Sequence, residues 1–108
     1  MSNPLVVLIT ASESEAADLA EALVERRLVA CVNIVPNVES VFRWDGGVER
    51  EPEALLVRKT SAEAYDALES ELPLLHSYDV PECMAIETDR ALAAYAQWVS
   101  AEARPDGR

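Results

Sequence analysis

Residues 28–60 read LVACVNIVPNVESVFRWDGGVEREPEALLVRKT, and this stretch decides the fold. Asp45-Gly46-Gly47 lies near its middle, and Asp-Gly and Gly-Gly are dipeptides that accept the positive φ angles of a tight hairpin turn. The residues on both sides are rich in Val, Ile, Phe and Trp, and they alternate with the two-residue period of a strand. The stretch therefore predicts two long strands folded back on each other at residues 44–47.

Pro36 interrupts the first of these two strands. A proline cannot donate a hydrogen bond to a sheet ladder, so within sheets it occurs at edges and bulges. We therefore expect the long strand to bend at Pro36.

The remaining elements follow from hydrophobic periodicity and from helix start signals. A continuous apolar run near the beginning predicts a central strand buried on both faces. Two Ser/Thr-x-x-Glu capping boxes predict helix starts, and Pro73 is expected to end or kink the second helix. The predicted elements are a strand at 5–9, a helix opened by Ser12 and Glu15, the hairpin, a helix opened by Thr60 and Glu63, a strand at 83–88 and a helix at 91–103.

This order predicts an α+β fold, a ferredoxin-like βαββαβ sandwich with a long central hairpin and an added C-terminal helix. A chain of 108 residues is long enough for one hydrophobic core but not for two. We expect a single domain over 1–108, with its core at about 5–103 and a tail at 104–108.

The helices of such a fold cover one face of the sheet and leave the other face open. Apolar residues nevertheless occur at both odd and even positions of the strands, which face opposite sides of the sheet. Leu55 and Val57 share one face, and Ala54 and Leu56 share the other. A monomer would therefore expose a larger apolar patch than soluble monomers usually do. We expect an oligomer that covers the open face, with Leu56 and Val35 as candidate interface residues.

Composition and charge exclude several classes of function. The formal charge is −11, whereas nucleic acid binding needs a basic patch. No apolar run approaches the roughly 20 residues needed to cross a bilayer, and no secretory signal pattern is present. The two cysteines are fewer than a small secreted scaffold usually carries, so reduced thiols are expected. We predict a cytoplasmic protein that binds neither nucleic acid nor membrane.

His76 is the only histidine, and Cys83 follows it by seven residues. Imidazole and thiolate are ligands that suit Cu or Zn, but most metal sites need three or four protein ligands. His76 is therefore either a metal ligand or an ordinary loop histidine. Cys31 lies in a predicted inner strand, where a free cysteine acts as a small hydrophobe.

Lys59 ends the second hairpin strand, just before a predicted helix start. A cation beside the backbone N–H groups of a helix start favours binding of an anion. The alternative is an ion pair between Lys59 and Glu82 or another carboxylate. Trp44 and Trp98 either pack in the core or an interface, or line a ligand site.

Three motifs in order along the chain resemble those of the CutA family of divalent-cation tolerance proteins. They are Ala30-Cys31-Val32-Asn33-Ile34 with Pro36, Ser40, Phe42, Trp44, Gly46 and Lys59-Thr60; His76-Ser77-Tyr78-Asp79-Val80-Pro81-Glu82; and Tyr95-Ala96-Gln97-Trp98. The resemblance implies a homotrimer with copper binding and a response to metal ions.

The resemblance also implies a ligand site at the clefts between subunits. The residues expected to line it are Lys59, Tyr78, Glu82, Trp44 and Trp98, with His76 as the metal ligand. The chain departs from the family pattern at Leu75, where a second histidine is frequent, at Ser77, where proline is usual, and at Ile9, where some members carry cysteine. These departures predict weak binding of a divalent ion such as copper and no required cofactor.

We therefore expect a non-enzymatic, trimeric, CutA-like protein that binds a metal ion or a small anion between subunits. The alternative is a signalling protein similar to PII that senses a small anionic metabolite. An enzyme such as an acylphosphatase would need an arginine-bearing phosphate loop after the first strand, and Thr10-Ala11-Ser12-Glu13 carries none.

Overall fold

The secondary-structure elements occur in the predicted order. In the computed structural model, which describes residues 3–105, they are β1 (Leu5–Ala11), α1 (Glu13–Glu25), β2 (Cys31–Trp44), β3 (Gly47–Thr60), α2 (Ala62–Leu75), β4 (Met84–Glu87) and α3 (Ala93–Glu102). The strands form an antiparallel sheet in the order β2-β3-β1-β4. The ferredoxin-like βαββαβ arrangement with an added C-terminal helix is thus confirmed.

The hairpin turn has the geometry that its sequence predicts. Trp44 pairs with Gly47 across the turn, and the two residues between them, Asp45 and Gly46, have φ angles of 53° and 80°. Positive φ at both central residues is the mark of a type I′ turn, whose twist matches that of the flanking strands. The turn therefore fixes the register of the hairpin.

The first hairpin strand bends at Pro36, as expected. The register with β3 shifts between Val35 and Val38, and Asn37 within this bulge has a φ of 60°. The backbone N–H of Asn37 donates a hydrogen bond of 2.7 Å to Oε1 of Glu13 at the start of α1. The bulge thus joins the hairpin to the body of the protein.

The helices pack against one face of the sheet and bury the main core. Leu56 of β3 is fully buried there beside its partner Ile9 of β1, so the expectation that Leu56 faces another subunit is wrong. The core consists of Val7, Ile9, Ala11, Ala16, Leu19, Ala20, Leu23, Leu28, Val29, Ala54, Leu56, Leu68 and Leu72.

The opposite face of the sheet carries a second set of apolar side chains. The register places Leu8 beside Val57 and Met84, and Val35 beside Leu55. Val35 is 42% exposed and Met84 is 53% exposed. Within one chain β1 is therefore buried on alternate residues, and the predicted burial on both faces is not found. We call this surface the open face.

Both helix starts differ from the predicted capping boxes. Thr60 is the last residue of β3, and its hydroxyl donates to the backbone oxygen of Leu28. Ser61 is the N-cap of α2 instead, because its hydroxyl accepts from the backbone N–H of Ala64 at 3.1 Å. At α1, Ser12 is the N-cap but its side chain makes no capping hydrogen bond.

Three smaller predictions also need correction. Helix α2 continues past Pro73 to Leu75, since a proline in the last turn removes only one helical hydrogen bond. Strand β4 covers only Met84–Glu87 rather than residues 83–88. Strand β2 is an edge strand of this sheet, so Cys31 does not lie in an inner strand.

The C-terminal helix is attached to the body by Arg27. This residue follows α1 with a φ of 60°, and its guanidinium donates to the backbone oxygens of Ala101 at 2.7 Å and Arg104 at 3.3 Å. A cation at this end of a helix also suits the helix dipole. None of the helices between residues 3 and 105 is long and apolar enough to cross a membrane. The predicted tail at 104–108 lies mostly outside the described residues.

Candidate functional site

A cleft of about 650 Å³ lies between the hairpin and the loop that follows α2. Strands β2 and β3 form one side, and the loop at residues 77–82 forms the other. Its lining residues are Thr10, Ser12, Phe42, Trp44, Glu49, Glu51, Pro52, Glu53, Ser77, Tyr78, Asp79, Val80 and Glu82. Three of the predicted ligand residues, Trp44, Tyr78 and Glu82, are therefore brought to one place.

The cleft is strongly acidic. Its described lining includes five carboxylates and no Lys, Arg or His side chain. Glu49, Glu51 and Glu53 recur at every second residue of β3, which places their side chains on one face of the strand. Three aromatic rings complete the lining, and aromatic faces attract cations. The chemistry of the cleft suits a positively charged ligand.

Tyr78 and Glu53 form a partly buried polar contact in the cleft. The Tyr78 hydroxyl donates to Oε2 of Glu53 at 2.5 Å, and Glu53 is only 5% exposed. Burial, followed by the hydrogen bond and the charge of Glu53, raises the pKa of Tyr78 well above the usual value for a phenol. Tyr78 is therefore a neutral donor, and it holds the carboxylate of Glu53 in a fixed position.

His76 holds the loop against the body of the protein. Its side chain is fully buried, with Nε2 lying 2.9 Å from the backbone oxygen of Thr10. Nδ1 accepts from the backbone N–H of Tyr78 at 3.0 Å, so Nε2 carries the proton and donates to Thr10. The imidazole also packs against the Tyr78 ring, with 4.4 Å between centroids.

The arrangement around His76 does not fit a copper centre within one chain. Both ring nitrogens already make hydrogen bonds to the backbone, and a metal would have to displace one of them. Across the described part of the chain, no three His, Cys, Asp or Glu side chains lie close enough together to hold a metal ion. Most protein metal sites have three or four such ligands. The geometry therefore favours a structural role for this histidine.

Lys59 and Trp98 lie away from the cleft within one chain. The Lys59 ammonium donates to Oδ1 of Asn33, and Lys59 is the register partner of Cys31. The Cys31 sulfur lies 3.6 Å from the hydroxyl of Tyr95, whose ring packs against Trp98 at 5.7 Å. The five predicted ligand residues thus fall into two groups, and their meeting between subunits stays a prediction.

Sequence reasoning missed Thr10 and the row of carboxylates on β3. The spacing of Glu49, Glu51 and Glu53 was a usable signal, because three acids on one face of a strand mark a negative surface. Thr10 gave no such signal, because it takes part through its backbone oxygen.

The chain matches a known family over most of its length. The family model described as "CutA1 divalent ion tolerance protein" matches residues 5–102. The divalent-cation tolerance protein CutA of Thermus thermophilus is 45% identical over 95 residues, which are 87% of this chain and 92% of that protein. A solved structure from Thermus thermophilus superposes with a TM-score of 0.87 at 43% identity, covering 92% of this chain and 97% of that one.

Two further relatives carry other descriptions. "Protein CutA 1, chloroplastic" of Oryza sativa is 39% identical over 101 residues, and the match covers 93% of this chain but only 57% of that longer protein. The structure described as "PII-like protein CutA from Nostoc" has a TM-score of 0.87 at 33% identity and covers 93% of this chain and 97% of that one. The match over residues 5–102, together with a shared fold and up to 45% identity, means that this chain belongs to the CutA1 divalent ion tolerance protein family.

Proposed function

We propose that the protein is a non-enzymatic homotrimer that binds divalent cations at its acidic cleft and thereby contributes to tolerance of these metals. The single observation that carries the proposal is the cleft itself, with five carboxylates and no basic side chain among its described lining residues. The name of the family points to the same class of ligand.

Binding at this cleft is expected to be weak. Carboxylates suit hard divalent ions, but tight sites arrange six or more oxygen ligands around the ion. The described carboxylates do not converge on a common point, so the cleft attracts cations mainly through its negative electrostatic potential. Copper is expected to bind weakly for the same reason, and no cofactor is required.

Titration with Mn²⁺ and Cu²⁺ tests this proposal. Glu49→Gln and Glu51→Gln each remove one charge from the cleft, and Glu39→Gln removes one from the neighbouring strand as a matched control. A unit charge and a divalent ion about 8 Å apart in water interact by about 1 kcal/mol, so each cleft variant should weaken binding about threefold to fivefold. Equal affinities for the cleft variants and the control would exclude the cleft as the cation site.

The trimer is proposed from the apolar side chains of the open face. Val35, Met84 and Ile86 are each more than 40% exposed in the single chain, which leaves an apolar surface without cover. Light scattering should give about three chain masses. Val57→Asp, on the open face, should weaken assembly because an unpaired buried charge costs several kcal/mol. A monomeric wild type would contradict the proposal.

The inter-subunit ligand site is part of the same proposal. Lys59 and Trp98 are separated from Trp44, Tyr78 and Glu82 within one chain, so the five can form one site only if neighbouring subunits bring the two groups together. Such a site would place one ammonium against the acidic cleft and would accept a small ligand with an anionic group. Lys59→Met should abolish any thermal stabilisation by anions or nucleotides while leaving that by Mn²⁺ intact.

A PII-like sensor of an anionic metabolite is the weaker alternative, since the cleft seen in one chain is acidic. If ATP or another anion stabilises the wild type more than Mn²⁺ does, this alternative is favoured. Release of phosphate from an acyl phosphate would contradict the non-enzymatic proposal.

We also propose the cytoplasm as the compartment, because both cysteines are free thiols. Cell fractionation with an antibody against the protein tests this point, and recovery from an oxidising compartment would contradict it.

A further inference from the structure

Arg58 is a fully buried arginine on the helix-covered face of β3. Its Nε donates to the backbone oxygen of Val7 at 3.3 Å, and Nη2 donates to that of Leu8 at 3.4 Å. Within residues 3–105 no carboxylate forms an ion pair with it. Burying a guanidinium without a counter-charge is costly, and burial lowers the pKa of Arg58 accordingly.

One nitrogen of Arg58 also lacks a hydrogen-bond acceptor. Nη1 is inaccessible to solvent and has no hydrogen-bond partner among the described residues. A buried donor without an acceptor costs about 1–3 kcal/mol, more when it is charged. Arg58 is therefore a buried donor whose hydrogen bonds are incomplete among the described residues.

Cys83 is the side chain nearest to this guanidinium that can change its chemistry. Its sulfur lies 3.8 Å from Nη2 of Arg58 and 3.9 Å from the Tyr65 hydroxyl. The Tyr65 hydroxyl donates to Glu69 at 3.1 Å, and Glu82 is the other carboxylate near the pair. Cys83 is only half-buried, so a small reagent can reach it from solvent.

The position of Cys83 keeps it outside the proposed subunit interface. Ala85 of β4 is the register partner of Val7, a core residue, while Met84 and Ile86 belong to the open face. Cys83 packs against the core and therefore shares the helix-covered side with Ala85. A trimer formed through the open face leaves this thiol accessible.

We propose that Cys83 and Arg58 form a site of reversible oxidation by peroxides. The Cys83 sulfur attacks one peroxide oxygen, an S–O bond forms as the O–O bond breaks, and the second oxygen leaves as water with the thiol proton. The sulfur loses two electrons, the peroxide gains them, and the product is a sulfenic acid. Nη2 of Arg58 lies 3.8 Å from the sulfur, where it can donate a hydrogen bond to the oxygen that arrives there.

The product adds a stronger hydrogen-bond acceptor beside Arg58. An oxygen bound to the Cys83 sulfur lies next to Nη2, which contacts only the sulfur on that side at 3.8 Å. Cys31 lacks this environment, because it lies on the open face beside the Tyr95 hydroxyl. The two thiols of the chain should therefore differ in reactivity.

The test treats the intact protein with one equivalent of hydrogen peroxide, traps sulfenic acid with dimedone and measures both cysteines by mass spectrometry. Cys83 should be labelled at least about tenfold faster than Cys31, and Arg58→Met should remove most of this difference. Arg50→Met, which alters an exposed arginine on the same strand, should leave it unchanged. Equal labelling of both cysteines in the wild type would overturn the proposal.

Arg58→Met should fold, because replacing a buried charge by an apolar side chain of similar length is often neutral or stabilising. Circular dichroism checks this before labelling. If the variant is unfolded, Arg58→Lys provides the second comparison, since it keeps the charge but lacks the planar guanidinium whose Nη2 reaches the sulfur. Slower labelling of Cys83 in the folded variant supports the proposal, whereas wild-type labelling in either folded variant overturns it.

Discussion

His76→Ala should destabilise the protein, because the imidazole joins the loop of the cleft to β1. The substitution leaves two partly buried backbone groups without partners, the oxygen of Thr10 and the N–H of Tyr78. It also removes the ring that packs against Tyr78.

The size of the effect follows from these contacts. Each unpaired backbone group costs about 1–3 kcal/mol, with the lower end applying where water can enter the vacated space. The lost ring contact adds about 0.5–1.5 kcal/mol. The free energy of unfolding should therefore fall by about 3 kcal/mol. His76→Gln should lose about half as much, because its amide can still donate to Thr10.

Urea denaturation at one fixed protein concentration measures these differences, because the stability of an oligomer depends on concentration. Copper titration of the same variants separates the structural role from a metal role. A structural histidine predicts that His76→Gln retains the weak copper binding of the wild type. Unchanged stability of His76→Ala, combined with complete loss of copper binding, would refute the structural role.

Two further changes test the local structure. Ser61→Ala should cost about 2 kcal/mol of stability in urea, because the hydroxyl both caps the N–H of Ala64 and donates to the backbone oxygen of buried Ala103. Ser12→Ala should cost close to nothing because its side chain caps no N–H. Equal losses would show that the α2 cap is misassigned. Partial burial raises the pKa of all three tyrosines, to about 12 for Tyr65 and for Tyr95, which is 38% exposed. The stability that these phenols contribute is complete below pH about 10, and it is lost as the pH rises towards their pKa values in the folded protein. Tyrosinate absorbance at pH about 10 in the native protein would contradict these raised pKa values.

Much of the fold could be predicted because its signals are local. The Asp45-Gly46 turn and the alternation around it determine the hairpin through backbone conformation alone, and Pro36 marks its bulge for the same reason. The error of one residue at α2 has a local cause as well. Thr60 and Ser61 both carry hydroxyls that could cap the helix. Which of them does so depends on where β3 ends, and that position is not apparent from the sequence.

The site was harder to predict because its contacts are distant in sequence. His76 makes a hydrogen bond with the backbone oxygen of Thr10, which lies 66 residues away, and no pattern around either residue indicates this contact. The distance between Lys59 and the cleft likewise depends on strand length and register, not on parity. The burial of Arg58 went unpredicted because an arginine in a strand is ordinarily read as exposed.

The distal part of the hairpin gives a direct measure of assembly through amide hydrogen exchange. Beyond the bulge at Pro36, most residues of both strands up to Pro52 are exposed, and they pair only with each other. A two-stranded ribbon is marginally stable in water, so in a separate chain these amides should exchange far faster than those of β1. Slow exchange on both sides of the turn would then report how firmly neighbouring chains hold the ribbon, without any label or mutation.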